Sequence, residues 1–106
     1  MFYEFMGYKL RLDAARIAQL EDKLGGRSPL SIFTEAGEKN IPPLKSLLLV
    51  LHMALQPYNH GLKAEDAYAL YDKYIEEGHT MVDFFQVIVE IYQASGLLPK
   101  EVDSKN

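Results

Sequence analysis

Histidine is the side chain most often used as a metal ligand or as a catalytic base near neutral pH, and this chain contains three. His52 falls in a predicted helix, His60 in a predicted turn and His79 in a predicted loop between helices. No two of them stand four residues apart, and none belongs to an H-E-x-x-H motif. The spacing therefore predicts no metal site and no catalytic histidine, although a site brought together only by the fold stays open as an alternative.

Adjacent carboxylates are the next candidates for acid–base chemistry. The pairs are Glu21-Asp22, Glu65-Asp66 and Glu76-Glu77, each in a predicted helix. Neighbours on a helix point about 100° apart, so the two carboxylates of a pair do not converge on one substrate atom. The glycines form no G-x-G-x-x-G or P-loop motif, and no serine lies in a G-x-S-x-G elbow. We therefore predict a protein that is not an enzyme and that uses no cofactor and no metal.

The composition limits the classes of partner. The chain has 106 residues and a net charge of −4, whereas a surface that binds phosphate has to be basic. Nucleic acid is therefore not an expected partner. Without cysteine, disulfides and thiolate metal sites are excluded. The N-terminus mixes charges with aromatics and lacks the apolar segment of a signal peptide, so we expect a cytoplasmic protein.

The stretch 43–56 predicts a helix around which the other elements pack. It is apolar around most of its circumference, which is typical of a helix enclosed by other elements. A single narrow stripe on it could touch water, and its residues are Lys45, Leu49, His52 and Gln56. Because the run is shorter than the roughly 20 apolar residues that cross a bilayer, it predicts the core helix of a domain, and we expect no membrane partner.

Alternation and capping signals divide the rest of the chain. Residues 2–12 alternate as a half-buried strand does, and Met6-Gly7 is a candidate turn that would fold this segment into a hairpin. Asp13 and Thr80 are predicted helix N-caps, and a short helix is predicted to start at Pro29. The other predicted helices cover residues 14–24, 43–56, 64–77 and 81–95, and a polar loop is predicted over residues 35–40.

These signals together predict a mainly α fold. Residues 1–98 are expected to form a single domain of about five helices with a short N-terminal β-strand or hairpin. Residues 99–106 are short and polar and are expected to form a flexible C-terminal tail.

The aromatic residues are the most informative about function. Seven tyrosines and five phenylalanines are a high load for so small a domain. Rings of this kind are favoured at the centres of interfaces. We predict a protein interface on the fourth and fifth helices, formed by Tyr68, Tyr71, Tyr74, Phe84 and Phe85. The alternative is that all of these rings lie inside the core or at its edge.

The order of several segments carries a resemblance to a known family. An opening Y-K-L-R-L-D strand is followed by a helix ending in L-E-D-K-L-G-G, a short S-P-L-S-I-F helix and a leucine-rich helix. The segment N-H-G-L-K-A-E-D-A-Y-A-L-Y-D-K-Y-I-E-E-G and a last hydrophobic helix ending in S-G-L-L come next. From Tyr8 to Leu98 this order resembles the tail assembly chaperones of long-tailed bacteriophages and of gene transfer agents.

The resemblance implies a small cytoplasmic protein without enzymatic activity that acts while the tail is built and is absent from the finished particle. Its partners would be the helical tape-measure protein, which such chaperones are thought to coat, and the tail-tube protein, and it could also form homo-oligomers. Many members are also made in a longer frameshifted form, and this chain would match the short form. The competing hypothesis is a small helical regulatory module, of the DNA-binding or antitoxin type. That hypothesis needs a basic recognition helix, and Lys45 and Lys63 are too scattered to make one.

Overall fold

The computed structural model describes residues 2–36 and 41–100. Within these ranges an antiparallel two-stranded hairpin precedes five α-helices. The elements are β1 (Tyr3–Phe5), β2 (Tyr8–Leu10), α1 (Ala14–Lys23), α2 (Ser31–Ala36), α3 (Leu44–Leu55), α4 (Ala64–Glu76) and α5 (Met81–Ala94). The predicted fold class, a mainly α domain with a short N-terminal hairpin, is confirmed.

The hairpin turns at the predicted dipeptide. Tyr3 pairs with Leu10 and Phe5 with Tyr8, which leaves Met6 and Gly7 at the turn. Their φ angles are 53° and 85°, and a two-residue turn with both φ angles positive matches the right-handed twist of the strands. Glycine adopts such angles freely, whereas methionine does so at a steric cost. The Met6 side chain packs against the core, and this contact helps to hold the turn.

Helix α3 is the centre of the domain, as predicted. It contacts α1, α4, α5 and β2. Its buried side chains are Leu47, Leu48, Val50, Leu51, Met53, Ala54 and Leu55. On the predicted polar stripe, Nε2 of His52 and Nε2 of Gln56 both donate to the carbonyl oxygen of Leu62, at 3.0 and 2.9 Å. These bonds hold the segment before α4 beside the end of α3.

The N-terminal segment is bound to the helices by hydrogen bonds as well as by packing. The backbone N–H of Arg11 donates to the carbonyl of Ala54 on α3, at 2.9 Å. The N–H of Leu12 donates to the hydroxyl of Ser95 at the end of α5, also at 2.9 Å. The hairpin and the segment after it are therefore part of the domain.

The predicted caps of α1 and α5 are confirmed. The Asp13 carboxylate accepts from the N–H of Arg16 at 2.9 Å. The Thr80 hydroxyl accepts from the N–H of Asp83, whose carboxylate accepts in return from the N–H of Thr80. This reciprocal arrangement is a capping box, and it satisfies backbone donors that have no partner within the helix.

Helix α2 starts two residues later than predicted, at Ser31 instead of Pro29. The carbonyl of Pro29 accepts a hydrogen bond from the buried hydroxyl of Tyr92, at 2.9 Å. The N–H of Phe33, which would meet that carbonyl in an α-helix, donates to the carbonyl of Leu30 instead. A long-range bond to α5 therefore replaces the first turn that the local sequence predicts.

The predicted loop 35–40 and the predicted tail 99–106 are each described only in part. Residues 35 and 36 belong to α2, so the predicted loop 35–40 is shorter than expected, and its residues 37–40 lie outside the described ranges. Of the predicted tail 99–106, residues 101–106 also lie outside them, and the flexible tail stays a prediction.

Two tyrosines give the domain an expected sensitivity to alkali. Burial raises the pKa of Tyr92 and of Tyr3, and the Glu90 carboxylate that accepts from the Tyr3 hydroxyl raises the pKa of Tyr3 further. The ordinary tyrosine pKa is 10.0. Since both folded-state values are higher, the stability that the neutral hydroxyls contribute is complete below pH 10 and is lost as the pH rises through the folded-state values.

We expect the free energy of unfolding to fall above pH 10, and to fall less steeply in Tyr92→Phe. The substitution should also cost about 1–3 kcal/mol at neutral pH, because it leaves the Pro29 carbonyl without its buried donor. Urea denaturation followed by circular dichroism at several pH values measures both effects. An identical loss of stability with pH in the two proteins would contradict the expectation.

Candidate functional site

Three of the five rings predicted to form an interface belong to one aromatic cluster. Phe84 is fully buried and Tyr74 is 9% exposed, and the Tyr71 ring meets the Phe84 ring edge-on with centroids 4.9 Å apart. Phe5 of β1 completes the cluster, 5.0 Å from Tyr74 and 6.1 Å from Phe84. The interface prediction needs correction for Phe84 and Tyr74, because the hairpin covers both rings and leaves almost no surface for a partner.

Phe85 lies at the edge of the core. It is half-buried, and its ring packs against Phe33 of α2 with centroids 5.8 Å apart. Phe33 in turn meets the buried ring of Tyr92 at 5.1 Å. The Phe85 ring therefore helps to attach α2 to α5.

Tyr68 is the predicted site residue that faces solvent, with 46% of its surface exposed. Together with the half-buried Tyr71 it lines a groove of about 340 Å³ between α3 and α4. The lining residues of this α3–α4 groove are Leu44, Lys45, Leu48, Tyr68, Tyr71 and Asp72. The groove joins an exposed aromatic ring to apolar side chains of the central helix, and it is the candidate functional site.

Helical periodicity explains which side chains reach the groove. Leu44 and Leu48 lie one turn apart on α3, and Tyr68 and Asp72 lie one turn apart on the neighbouring helix α4. Ala67, the neighbour of Tyr68, is fully buried. Since successive residues of a helix point about 100° apart, Tyr68 is directed to the flank of α4 and not into the core.

The groove has one charge of each sign. Lys45 lies on the α3 side and Asp72 on the α4 side, and both are exposed. Neither makes an ion pair with another residue in the described part of the chain. The groove therefore offers an apolar floor and two charges free to pair with a ligand.

Comparison with known proteins adds a family assignment. Residues 4–105 match a family of unknown function, DUF6096. The chain belongs to the DUF6096 family. No curated protein and no solved structure matches it. The matched range includes all five helices and hence the whole of the α3–α4 groove.

The histidines of this DUF6096 protein do not converge. His52 donates to the Leu62 carbonyl, and the His79 ring stacks on Tyr74 with centroids 4.0 Å apart. Among the described residues, no group of three or more histidine, cysteine, aspartate or glutamate side chains is placed to hold a metal ion. None of the described helices combines the length and apolar content that crossing a bilayer requires.

A second, smaller cleft of about 250 Å³ lies on the other flank of α4 in this DUF6096 domain. Its lining residues are Tyr8, Leu62, Asp66, Ala69, Leu70 and Lys73. None of the residues predicted from the sequence as an interface lines it. We therefore take the α3–α4 groove, which combines two of them, as the functional candidate.

The sequence pattern missed the α3 wall of the groove. The apolar side chains of the stretch 43–56 were predicted to pack in the core, and Lys45 was predicted to belong to a stripe that could touch water. The signal that could have pointed to the groove is the position of Lys45 beside Leu44 and Leu48, at the border between the polar stripe and the apolar face of the helix.

Proposed function

We propose that this DUF6096 protein is a tail assembly chaperone without enzymatic activity, which holds an amphipathic helix of the tape-measure protein in the α3–α4 groove. The observation that carries the proposal is the exposed Tyr68 ring beside a groove with a mostly apolar lining. The resemblance of the sequence to phage tail assembly chaperones supports the identity of the client. The groove supports the mode of binding.

The shape of the groove favours a protein client over a small molecule. Sites for small ligands bury about 70–90% of the ligand surface, whereas this groove is open to solvent along one side. A shallow apolar groove between two helices is typical of proteins that bind one face of an amphipathic helix. The α3–α4 groove has this form.

The walls of the groove also favour a helical client. Both walls are α-helices, whose backbone groups are already paired within each helix away from their ends. An occupant therefore has to satisfy its own N–H and C=O groups on entering an apolar surface. A helix does so, whereas an extended segment would need a free sheet edge.

The charge of the chain fits the same role. A net charge of −4 helps to keep a complex with an aggregation-prone client in solution. In this proposal the protein acts in the host cytoplasm, can self-associate along the tape-measure protein, and helps to bring the tail-tube protein to it.

Tyr68→Ala is the substitution that tests the proposal. We expect binding to a helical fragment of the tape-measure protein to weaken by about five- to thirtyfold, because an aromatic anchor at an interface contributes about 1–2 kcal/mol. The melting temperature should change little, because the ring is about half exposed. Isothermal titration calorimetry and thermal denaturation measure the two effects.

Tyr58→Ala provides the matched control. Tyr58 is 41% exposed and packs edge-on against Phe2, with centroids 5.9 Å apart, outside the groove lining. Its substitution should leave the affinity unchanged. Equal affinities of wild type and Tyr68→Ala, or failure of the wild-type domain to capture any tape-measure fragment, would refute the proposed function. A large fall in the melting temperature of Tyr68→Ala would place that ring in the core.

A further inference from the structure

We infer that the α3–α4 groove selects a client helix with opposite charges on its two flanks, an acidic residue next to Lys45 on α3 and a basic residue next to Asp72 on α4. The inference rests on the proposed function, namely that the groove holds a helix of another protein. It adds which helix is preferred and in which direction that helix lies.

The extent of the groove limits what its floor can recognise. The lining runs from Leu44 to Leu48 on α3 and from Tyr68 to Asp72 on α4. Each of these stretches spans one helical turn, about 6 Å. Such a floor can take one or two apolar side chains of a client, spaced three or four residues apart. Apolar contacts of this size do not distinguish one amphipathic helix from another, so the groove walls have to supply the selectivity.

The charges of Lys45 and Asp72 are placed to supply this selectivity. Lys45 and Asp72 lie on opposite walls, are exposed, and have no ion-pair partner among the described residues. A client helix in the groove presents one flank to each wall. Charges at the edge of an interface act mainly on specificity, because a like charge opposite each of them is repelled.

Opposite charges on the two walls also give the client a direction. Turning a helix end over end in a groove exchanges its left and right flanks. A helix with acidic residues on one flank and basic residues on the other can therefore pair with both Lys45 and Asp72 in one direction only. Two walls of the same charge would have accepted such a helix equally well in either direction.

Three synthetic helical peptides test the inference. All carry one pair of leucines, at an a position and the following d position, which is the number that the floor can take and too few for a coiled coil. They differ at the flanking positions e and g, which hold Glu on one flank and Lys on the other, Glu on both, or Lys on both. We expect the wild-type protein to bind the mixed peptide about two- to fivefold more tightly than either of the others, which is the range for exposed ion pairs. The preference should decrease as salt screens the charges.

Single charge reversals should change the preferred peptide in a defined way. Lys45→Glu makes both walls acidic, so the peptide with Lys on both flanks should become the tightest binder. Asp72→Lys makes both walls basic, so the peptide with Glu on both flanks should take that place. Lys23→Glu is the control, because it changes the net charge as Lys45→Glu does but lies on α1. It should keep the preference for the mixed peptide.

The outcomes separate the inference from the proposed function. If all three peptides bind with equal affinity and all lose affinity in Tyr68→Ala, the inference is overturned and the groove remains a helix-binding site. If no peptide binds, or if binding does not weaken in Tyr68→Ala, the inference and the proposed function are both overturned. A dimer of this chain that depends on Tyr68 and is displaced by the peptides in sedimentation experiments would identify a second copy as the occupant, and would overturn the assignment to a different protein.

Discussion

Leu51→Asp is expected to unfold the domain. Leu51 is fully buried in α3, the helix that contacts α1, α4, α5 and β2. No charged residue in the described part of the chain is buried, and the buried Tyr92 hydroxyl already donates to the Pro29 carbonyl, so the interior offers a carboxylate no charged partner. An unpaired buried charge costs several kcal/mol, which is comparable to the total stability of a small domain, about 5–15 kcal/mol. Circular dichroism and urea denaturation should show loss of the cooperative transition.

Val82→Asp is the control for this substitution. Val82 is 63% exposed and lies in the first turn of α5, where a carboxylate meets the positive end of the helix dipole. The same change of side chain should therefore alter the stability by no more than about 0.5 kcal/mol. A Leu51→Asp protein that unfolds cooperatively with the stability of the Val82→Asp protein would contradict the central position of α3.

Phe84→Ala is expected to cost about 3–5 kcal/mol, the range for removing a fully buried aromatic ring. Phe84 is 0% exposed, and its ring lies within 6.2 Å of the rings of Phe5, Tyr71 and Tyr74. Its removal leaves a cavity between the hairpin, α4 and α5. The midpoint of urea denaturation should move to a lower urea concentration. If the slope of the unfolding free energy against urea concentration stays the same, the change in midpoint measures the loss of stability.

Phe85→Ala is the matched control for Phe84→Ala, because the two phenylalanines are adjacent and the change of side chain is identical. Phe85 is half-buried and packs against the single ring of Phe33. We expect its substitution to cost clearly less than that of Phe84. Equal losses, or a larger loss at Phe85, would be inconsistent with the placement of Phe84 in the interior and Phe85 at its edge.

Those features of the fold that depend on neighbouring residues could be predicted from the sequence. Asp13 and Thr80 cap their helices because a side-chain oxygen can reach the free N–H groups of the next turn. The nearly uniform apolar surface of α3 required a central position. The turn at Met6-Gly7 was predicted from Gly7, because glycine adopts positive φ angles freely.

Features that depend on distant contacts could not be predicted in this way. Phe84 and Phe85 carry the same side chain, but Phe84 lies on the buried face of α5, where its ring meets rings from β1 and α4, and Phe85 lies at the edge of that face. The start of α2 is shifted by a bond between Pro29 and Tyr92. Local propensity contains neither contact.

The candidate site was only partly predictable for a similar reason. Tyr68 and Tyr71 were predicted as interface residues because of their type and spacing, and the structure places both at the groove. Helical periodicity shows which face of a helix is apolar, but the gap between α3 and α4 depends on how the two helices pack. The contribution of Leu44 and Leu48 to the groove therefore required the three-dimensional structure.

Tyr71 contributes to the groove and to the interior at the same time, since it lines the one and packs on Phe84 in the other. A substitution at position 71 would therefore change the groove and also disturb the aromatic cluster beneath it. The other exposed lining residues do not pack in that cluster, and they are Lys45, Tyr68 and Asp72. Under the proposed function, substitutions at these three positions would change the preferred helix while the scaffold stays intact.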